Sequence, residues 1–99
     1  MAVVLRATMP GFTAAKYDEL VVKLESVGAG SPAGRLYHVC FGPIDDLHVS
    51  DIWESREAFD KFGETLIPAM QELGISAPQI EYFEVHNIIE GQKATATTP

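Results

Sequence analysis

A single cysteine, Cys40, is present in the 99 residues, which excludes an internal disulfide and any zinc site that needs paired cysteines. Basic residues are scarce: seven Lys and Arg stand against 14 Asp and Glu, giving a net charge of −7. No basic cluster interrupts this acidic background. We therefore expect neither a nucleic acid nor an anionic membrane as a partner.

Long hydrophobic runs are also absent, since the longest span about five residues and a membrane-spanning helix needs roughly 20. The first residues, Met1 to Arg6, lack the charged, apolar and small-residue zones of a secretory signal. We therefore expect a cytoplasmic protein. The chain is 46% hydrophobic and 21% charged, a composition typical of one folded globular domain of this length.

Hydrophobic periodicity predicts six elements in the order β-α-β-β-α-β. Strands are predicted over 3–9, 35–41, 47–53 and 80–89, and the two helices follow Thr13 and Ser55, which suit helix N-caps. Because proline interrupts helical hydrogen bonding, we expect the second helix to restart at Pro68 and to end at Gly74. Residues 1–90 form the predicted domain, and the polar, aperiodic residues 91–99 a flexible tail.

This element order is that of the ferredoxin-like α+β fold, whose four-stranded antiparallel sheet carries both helices on one face. Strands two and four have apolar residues at consecutive positions, such as Tyr82 and Phe83, so both faces of the sheet require burial. The helices cover one face. A second copy of the sheet is the expected cover of the other, which predicts a homodimer.

The hairpin between strands two and three determines which side chains share a face. If a four-residue loop follows Gly42, side-chain alternation places three pairs opposite each other on one face: Cys40 and Val49, His38 and Asp51, and Leu36 and Trp53. A slip of one residue would separate His38 from Asp51, because every side chain would change face.

His38 and Asp51 are polar residues among apolar neighbours, so they must satisfy each other or a ligand. Their β-carbons would lie roughly 4.5–5.5 Å apart, close enough for a hydrogen bond between the side chains. Asp51 would then orient the imidazole and favour its protonated form, which suits His38 to act as a general acid or base. A purely structural bond is the alternative.

The other candidate residues are interpreted as the wall of a hydrophobic pocket, or else as plain core. Trp53 offers a flat surface for an aromatic ligand, and the further candidates for substrate binding are Tyr17, Phe59, Phe62 and His86. Cys40 is expected to be an inert, buried thiol.

No cofactor is expected, because no glycine-rich phosphate loop follows a strand and nothing requires a nicotinamide or flavin. His86 either lines the pocket of its own chain or meets the dimer partner. A metal site formed by His38, Asp51 and His86 is a disfavoured alternative, since the three residues are not local in sequence.

The segment from Asp51 to Phe59, with its W-E-S-x-E-x-F string, resembles the antibiotic biosynthesis monooxygenase-like group. The resemblance implies a dimeric α+β barrel built by sheet-to-sheet pairing, with a pocket between helices and sheet. It also implies cofactor-independent oxidation of aromatic or polyketide-like substrates in some members, and Trp53 matches the tryptophan that borders their pocket. By the same resemblance, the haem-degrading branch of the group uses an Asn on strand one and a His on the second helix. Neither residue is present here, so haem degradation is disfavoured.

Three functions remain open at this point. The first is an enzyme in which His38, oriented by Asp51, transfers a proton on a small hydrophobic substrate, leading to oxidation, cyclisation or isomerisation. The second is a non-catalytic module that binds a small hydrophobic or aromatic ligand in the same pocket. The third is a structural dimeric domain whose pocket is filled by its own side chains.

Overall fold

A computed structural model describes residues 1–94, and residues 95–99 lie outside the described part of the chain. Its elements follow the predicted order: β1 (Val3–Thr8), α1 (Ala14–Ser26), β2 (Arg35–Phe41), β3 (His48–Trp53), α2 (Arg56–Glu72) and β4 (Gln79–Glu84). The strands form one antiparallel sheet in the order β2-β3-β1-β4. The predicted ferredoxin-like α+β fold is thereby confirmed.

Both helices begin at the predicted caps. The Thr13 hydroxyl accepts a hydrogen bond from the backbone N–H of Lys16 at 3.2 Å, and the Ser55 hydroxyl accepts one from Ala58 at 3.1 Å. Each bond satisfies one of the N–H groups that a helix start leaves without a partner. The caps therefore fix where each helix leaves the sheet.

The hydrophobic core lies between the two helices and one face of the sheet. Its buried side chains come from β1, both helices and the end of β3, and include Leu5, Ala7, Leu20, Leu24, Trp53, Phe59, Phe62 and Met70. These helical positions follow the apolar spacing of an amphipathic helix. Within residues 1–94, no helix combines the length and the apolar character needed to cross a membrane.

The prediction that the second helix restarts at Pro68 is wrong, because α2 continues through Pro68 to Glu72. Pro68 has no N–H to donate to the carbonyl of Glu64, one turn earlier. Both residues lie on the exposed side of α2, so water can reach this carbonyl in place of the missing donor. The turn after the helix does use Gly74, which has a φ of +69°.

The last strand is shorter than predicted: β4 ends at Glu84, and residues 85–94 have no regular structure. Its partner β1 begins at Val3, which pairs with Glu84. One further backbone bond runs from Val85 to Ala2 at 3.0 Å. Beyond this bond, no strand among residues 1–94 pairs with residues 86–89. The flexible tail predicted for 91–99 lies partly outside the described residues.

The hairpin register is confirmed for two of the three predicted pairs, Cys40 with Val49 and His38 with Asp51. The third is wrong: a β-bulge between Arg35 and Tyr37 places Arg35, not Leu36, opposite Trp53. A bulge inserts one extra residue and so reverses the alternation of side chains before it. Leu36 is 53% exposed as a result.

The sheet face opposite the helices, here called the outer face, remains partly apolar. Exposed aromatic residues lie on both edge strands: Tyr37 is 61% exposed, Phe41 40% and Phe83 49%. Val39 and Ile52 lie half-buried on the same face. The helices therefore cover only one of the two faces that the sequence pattern marks for burial.

Candidate functional site

Asp51 is the one charged side chain that is buried in the described part of the chain, with 5% exposure. Its position in the middle of β3, on the face covered by the helices, brings both of its oxygens to hydrogen-bond donors. The Nδ1 atom of His38 lies 2.6 Å from Oδ1, and the indole N–H of Trp53 donates to Oδ2 at 3.2 Å. The predicted pairing of His38 with Asp51 is therefore present.

This arrangement determines which nitrogen of His38 carries a proton. A carboxylate only accepts hydrogen bonds, so Nδ1 must be the protonated nitrogen in the neutral ring. The opposite nitrogen, Nε2, is then an acceptor with a free electron pair.

Tyr17, on the first turns of α1, completes the chain of hydrogen bonds. Its hydroxyl lies 2.8 Å from Nε2 of His38, and the two rings are nearly parallel, with an interplanar angle of 7°. Since Nε2 is the acceptor, the Tyr17 hydroxyl donates. Residues from one helix and two strands thus form a continuous path Tyr17–His38–Asp51–Trp53.

A cavity of about 180 Å³ lies between the helices and the sheet, next to this path. Tyr17, His38 and Asp51 line it, together with Arg35. Most of the remaining wall is apolar and comes from β1, β3, β4, both helices and the segment before α1: Leu5, Ala7, Met9, Phe12, Leu20, Val21, Leu24, Val49, Phe59, Phe62, Leu66, Met70 and Ile80. The site is an apolar chamber with one polar end.

The aromatic candidates divide into two groups. Tyr17, Phe59 and Phe62 line the cavity, and their role in substrate binding stays a prediction. Trp53 does not: it is completely buried, with 0% exposure, behind Phe59 and Phe62, whose ring centroids each lie 5.5 Å from its own. The hypothesis that Trp53 forms a flat wall for a ligand is therefore wrong, and its indole instead holds Asp51 in place.

His86 is not brought to the cavity. It lies two residues beyond the end of β4, is exposed and is absent from the cavity wall. The strand that would have carried it inward stops at Glu84, because β1 offers no further partner. Among residues 1–94, no three His, Cys, Asp or Glu side chains lie close enough together to hold a metal ion.

Cys40 lies beside His38 on β2 and is partly buried. Burial raises the pKa of the Cys40 thiol, and the negative charge of Asp18 adds to this effect. A thiol with a raised pKa carries less of the reactive thiolate. This agrees with the interpretation of Cys40 as an unreactive residue.

Arg35 is the functional candidate that the sequence pattern did not identify. Strict alternation along β2 places it on the outer face with Tyr37, whereas the bulge directs it to the cavity. The only sequence signal is the preceding segment Gly28 to Gly34, whose glycines and proline predict a loop but not the bulge that follows it.

The electrostatics of the site act on Tyr17. Burial raises the pKa of the Tyr17 phenol, and Cys40, Asp51 and Asp18 act in the same direction. The positive charge of Arg35 opposes them by lowering this pKa, so Arg35 is close enough to influence the hydroxyl. Tyr17 is therefore held as a neutral hydrogen-bond donor at neutral pH.

We expect the Tyr17 phenol to titrate above the ordinary tyrosine pKa of about 10. The folded state then holds this proton more tightly than the unfolded chain. The stability it contributes is present below pH 10 and is lost as the pH rises through the folded-state pKa. The measurement is the ultraviolet absorbance of tyrosine ionisation against pH, recorded for the wild type and for Tyr17→Phe. The difference between the two curves reports on Tyr17. A difference transition centred at or below pH 10 would contradict the assignment.

No family model matches the sequence, and no curated relative matches it. Solved structures with a similar fold do exist. One, a Caulobacter crescentus protein predicted to be an antibiotic biosynthesis monooxygenase, is 20% identical with a TM-score of 0.63, over 87% of this chain and 91% of that one. Another, SnoaB, a cofactor-independent oxygenase from Streptomyces nogalater, is 16% identical with a TM-score of 0.59, over 91% and 96% of the two chains.

A Deinococcus radiodurans protein, also predicted to be an antibiotic biosynthesis monooxygenase, has a TM-score of 0.59 at 15% identity, over 94% of this chain and all of the other. Identities this low establish a common fold and leave the chemistry to the residues of the site. The chain has the fold of the antibiotic biosynthesis monooxygenase-like proteins, as the resemblance around Trp53 predicts.

Proposed function

We propose that this protein is a cofactor-independent, monooxygenase-like enzyme that acts on a small aromatic or polyketide-like substrate. The observation that carries the proposal is the hydrogen-bonded path Tyr17–His38–Asp51, which reaches the polar end of an otherwise apolar cavity. A cavity with a few convergent polar groups is the usual form of a small-molecule site. Its apolar wall suits a ring system rather than a sugar or a phosphate.

In the proposed reaction, His38 is the general base. The acidic group of the substrate contacts the Tyr17 hydroxyl, and as its proton moves to this oxygen the Tyr17 proton moves to Nε2 of His38. Asp51 stabilises the imidazolium that results, because both of its oxygens are already positioned by hydrogen bonds. Tyr17 never has to persist as a phenolate, which its raised pKa would disfavour.

The anion formed from the substrate supplies the electrons for oxidation. A conjugated carbanion reacts with O₂, so that an activated CH₂ group and O₂ give a ketone and water. SnoaB, which has this fold, is a cofactor-independent oxygenase. A cyclase or isomerase would use the same proton transfer without consuming O₂, and a binding module would catalyse neither step.

His38→Ala should lower the rate of proton transfer at least about 100-fold, which is the usual contribution of a positioned general base. The probes are two ring ketones with acidic CH₂ groups, 2-tetralone and anthrone. Deuterium exchange followed by NMR measures proton abstraction, and an oxygen electrode measures oxidation.

His86→Ala is the matched control, because this exposed histidine lies outside the cavity wall and should leave both rates unchanged. Exchange without O₂ consumption would favour the cyclase or isomerase. If neither probe reacts any faster with the wild-type protein than with His38→Ala, the enzymatic proposal is wrong and a binding or structural role remains.

The proposed enzyme is a homodimer joined through the outer face. Three exposed aromatic residues, Tyr37, Phe41 and Phe83, support this assembly together with the half-buried Val39 and Ile52. Monomeric proteins rarely leave an apolar surface of this kind in contact with water. A second copy of the same face would cover it by a two-fold, self-complementary contact.

Light scattering coupled to size exclusion should give the mass of a dimer, twice 10.8 kDa, at micromolar concentration. Tyr37→Glu should shift the protein toward monomer, because a charge would be buried in the contact. Val22→Glu is the matched control: Val22 is similarly exposed, at 65%, but lies on α1, on the opposite side of the sheet. A wild-type monomer would exclude the dimer.

A further inference from the structure

The β-bulge at the start of β2 gives the cavity a cationic side chain. Arg35 pairs with Trp53, whereas the next paired residue, Tyr37, is opposite Ile52. Because of the extra residue, Arg35 and His38 both lie on the sheet face that the helices cover. Regular alternation would place these two residues on opposite faces. Bulges commonly redirect a side chain in this way next to a functional site.

Local packing holds the segment that carries Arg35. Gly34 has a φ of +88°, and a β-carbon at this position would lie 2.7 Å from the β-carbon of Ala58 on α2. The Gly34 carbonyl also accepts a hydrogen bond from the backbone N–H of Glu54 at 2.8 Å. The chain can approach α2 this closely only with glycine at position 34, and this approach sets the start of β2.

The guanidinium of Arg35 is half-buried and lacks a counter-ion. Its Nη2 atom donates to the carbonyl of Gly30 at 3.1 Å, and its Cζ lies 5.8 Å from the centroid of the Phe62 ring. No carboxylate in residues 1–94 forms an ion pair with it. A guanidinium has five N–H donors, so most of the donors of Arg35 remain for a ligand.

Arg35 is not confined to the wall of the main cavity. A second recess of about 220 Å³, lined by Ser31, Pro32, Leu36 and Tyr37, shares Arg35 and His38 with the main cavity. Arg35 and His38 therefore line both the recess and the main cavity. A ligand whose rings lie in the apolar cavity can therefore place a charged group at Arg35.

We propose that Arg35 is the specificity-determining residue of this site and selects an aromatic carboxylate, whose carboxylate it binds at the cavity wall. This proposal rests on the proposed function, since it defines which hydrophobic substrate the His38 site accepts. Guanidinium and carboxylate match in shape and can form two parallel hydrogen bonds.

The charge of the surroundings favours a carboxylate over a phosphate. Arg35 is the single Arg or Lys in the cavity wall, and the chain as a whole has a net charge of −7. One guanidinium neutralises a singly charged carboxylate. It would leave part of a doubly charged phosphate uncompensated beside an apolar chamber, which is unfavourable.

The test compares two bicyclic probes of the same shape, 1-naphthoate and uncharged 1-naphthamide, by isothermal titration calorimetry on the full chain. The wild type should bind naphthoate about tenfold more tightly, as a charge-assisted pair outweighs a neutral contact. Arg35→Gln should abolish this preference without weakening naphthamide binding. Arg35→Lys should retain part of it, because the charge remains but the planar fork is lost.

Arg56→Gln is the matched control: Arg56 is exposed on α2, packs over Tyr82 and is not part of the cavity wall, so the preference should persist. Equal binding of both probes to the wild type, or no binding of either, would overturn the carboxylate assignment. Equal binding together with His38-dependent proton exchange would leave the proposed function standing. A carboxylate preference without such exchange would support the anion site and contradict the enzyme.

Discussion

A carboxylate buried under a sheet must have a hydrogen-bond donor at each oxygen, and Asp51 obtains one from Trp53 and one from His38. This requirement determines much of the site. Trp53 has to lie fully inside the core so that its indole can reach Asp51, and the imidazole of His38 has to present Nδ1 to the carboxylate. The free electron pair of Nε2 then faces Tyr17 and the cavity.

The cavity has a polar end and an apolar wall because several elements meet around His38 and Asp51. Helix α1 contributes Tyr17 to the polar end and Leu20 and Leu24 to the apolar wall, because its inward face combines both kinds of residue at helical spacing. Helix α2 supplies Phe59 and Phe62, which separate the cavity from Trp53. Trp53, which the sequence suggests as a flat surface for a ligand, therefore lies behind the cavity wall.

The pairing of His38 with Asp51 and the helix caps could be predicted from the sequence, because both follow from local signals. Turn residues and strand alternation are local signals, and they are sufficient to pair His38 with Asp51 across the hairpin. Caps at Thr13 and Ser55 are local as well. The hydrogen bond from Tyr17 to His38 is not, because it depends on how α1 is rotated against the sheet.

The features that the sequence did not predict also have physical reasons. The bulge that brings Arg35 inward comes directly after Gly34, which packs closely against Ala58 of α2, and no local pattern encodes this contact between distant segments. The end of β4 at Glu84 is set by where β1 begins, although Ile88 and Ile89 continue the apolar pattern. Pro68 remains within α2 because it lies on an exposed face where a missing hydrogen bond can be replaced by water.

Nitrogen-15 NMR of the histidine side chains shows whether buried Asp51 fixes the tautomer of His38 and leaves Nε2 as the proton acceptor. The chain has three histidines, and the signals lost in His38→Ala are those of the His38 ring. We expect neutral His38 to carry its proton on Nδ1, and Asp51→Asn to abolish this preference. A neutral His38 protonated on Nε2 in the wild type would contradict this expectation.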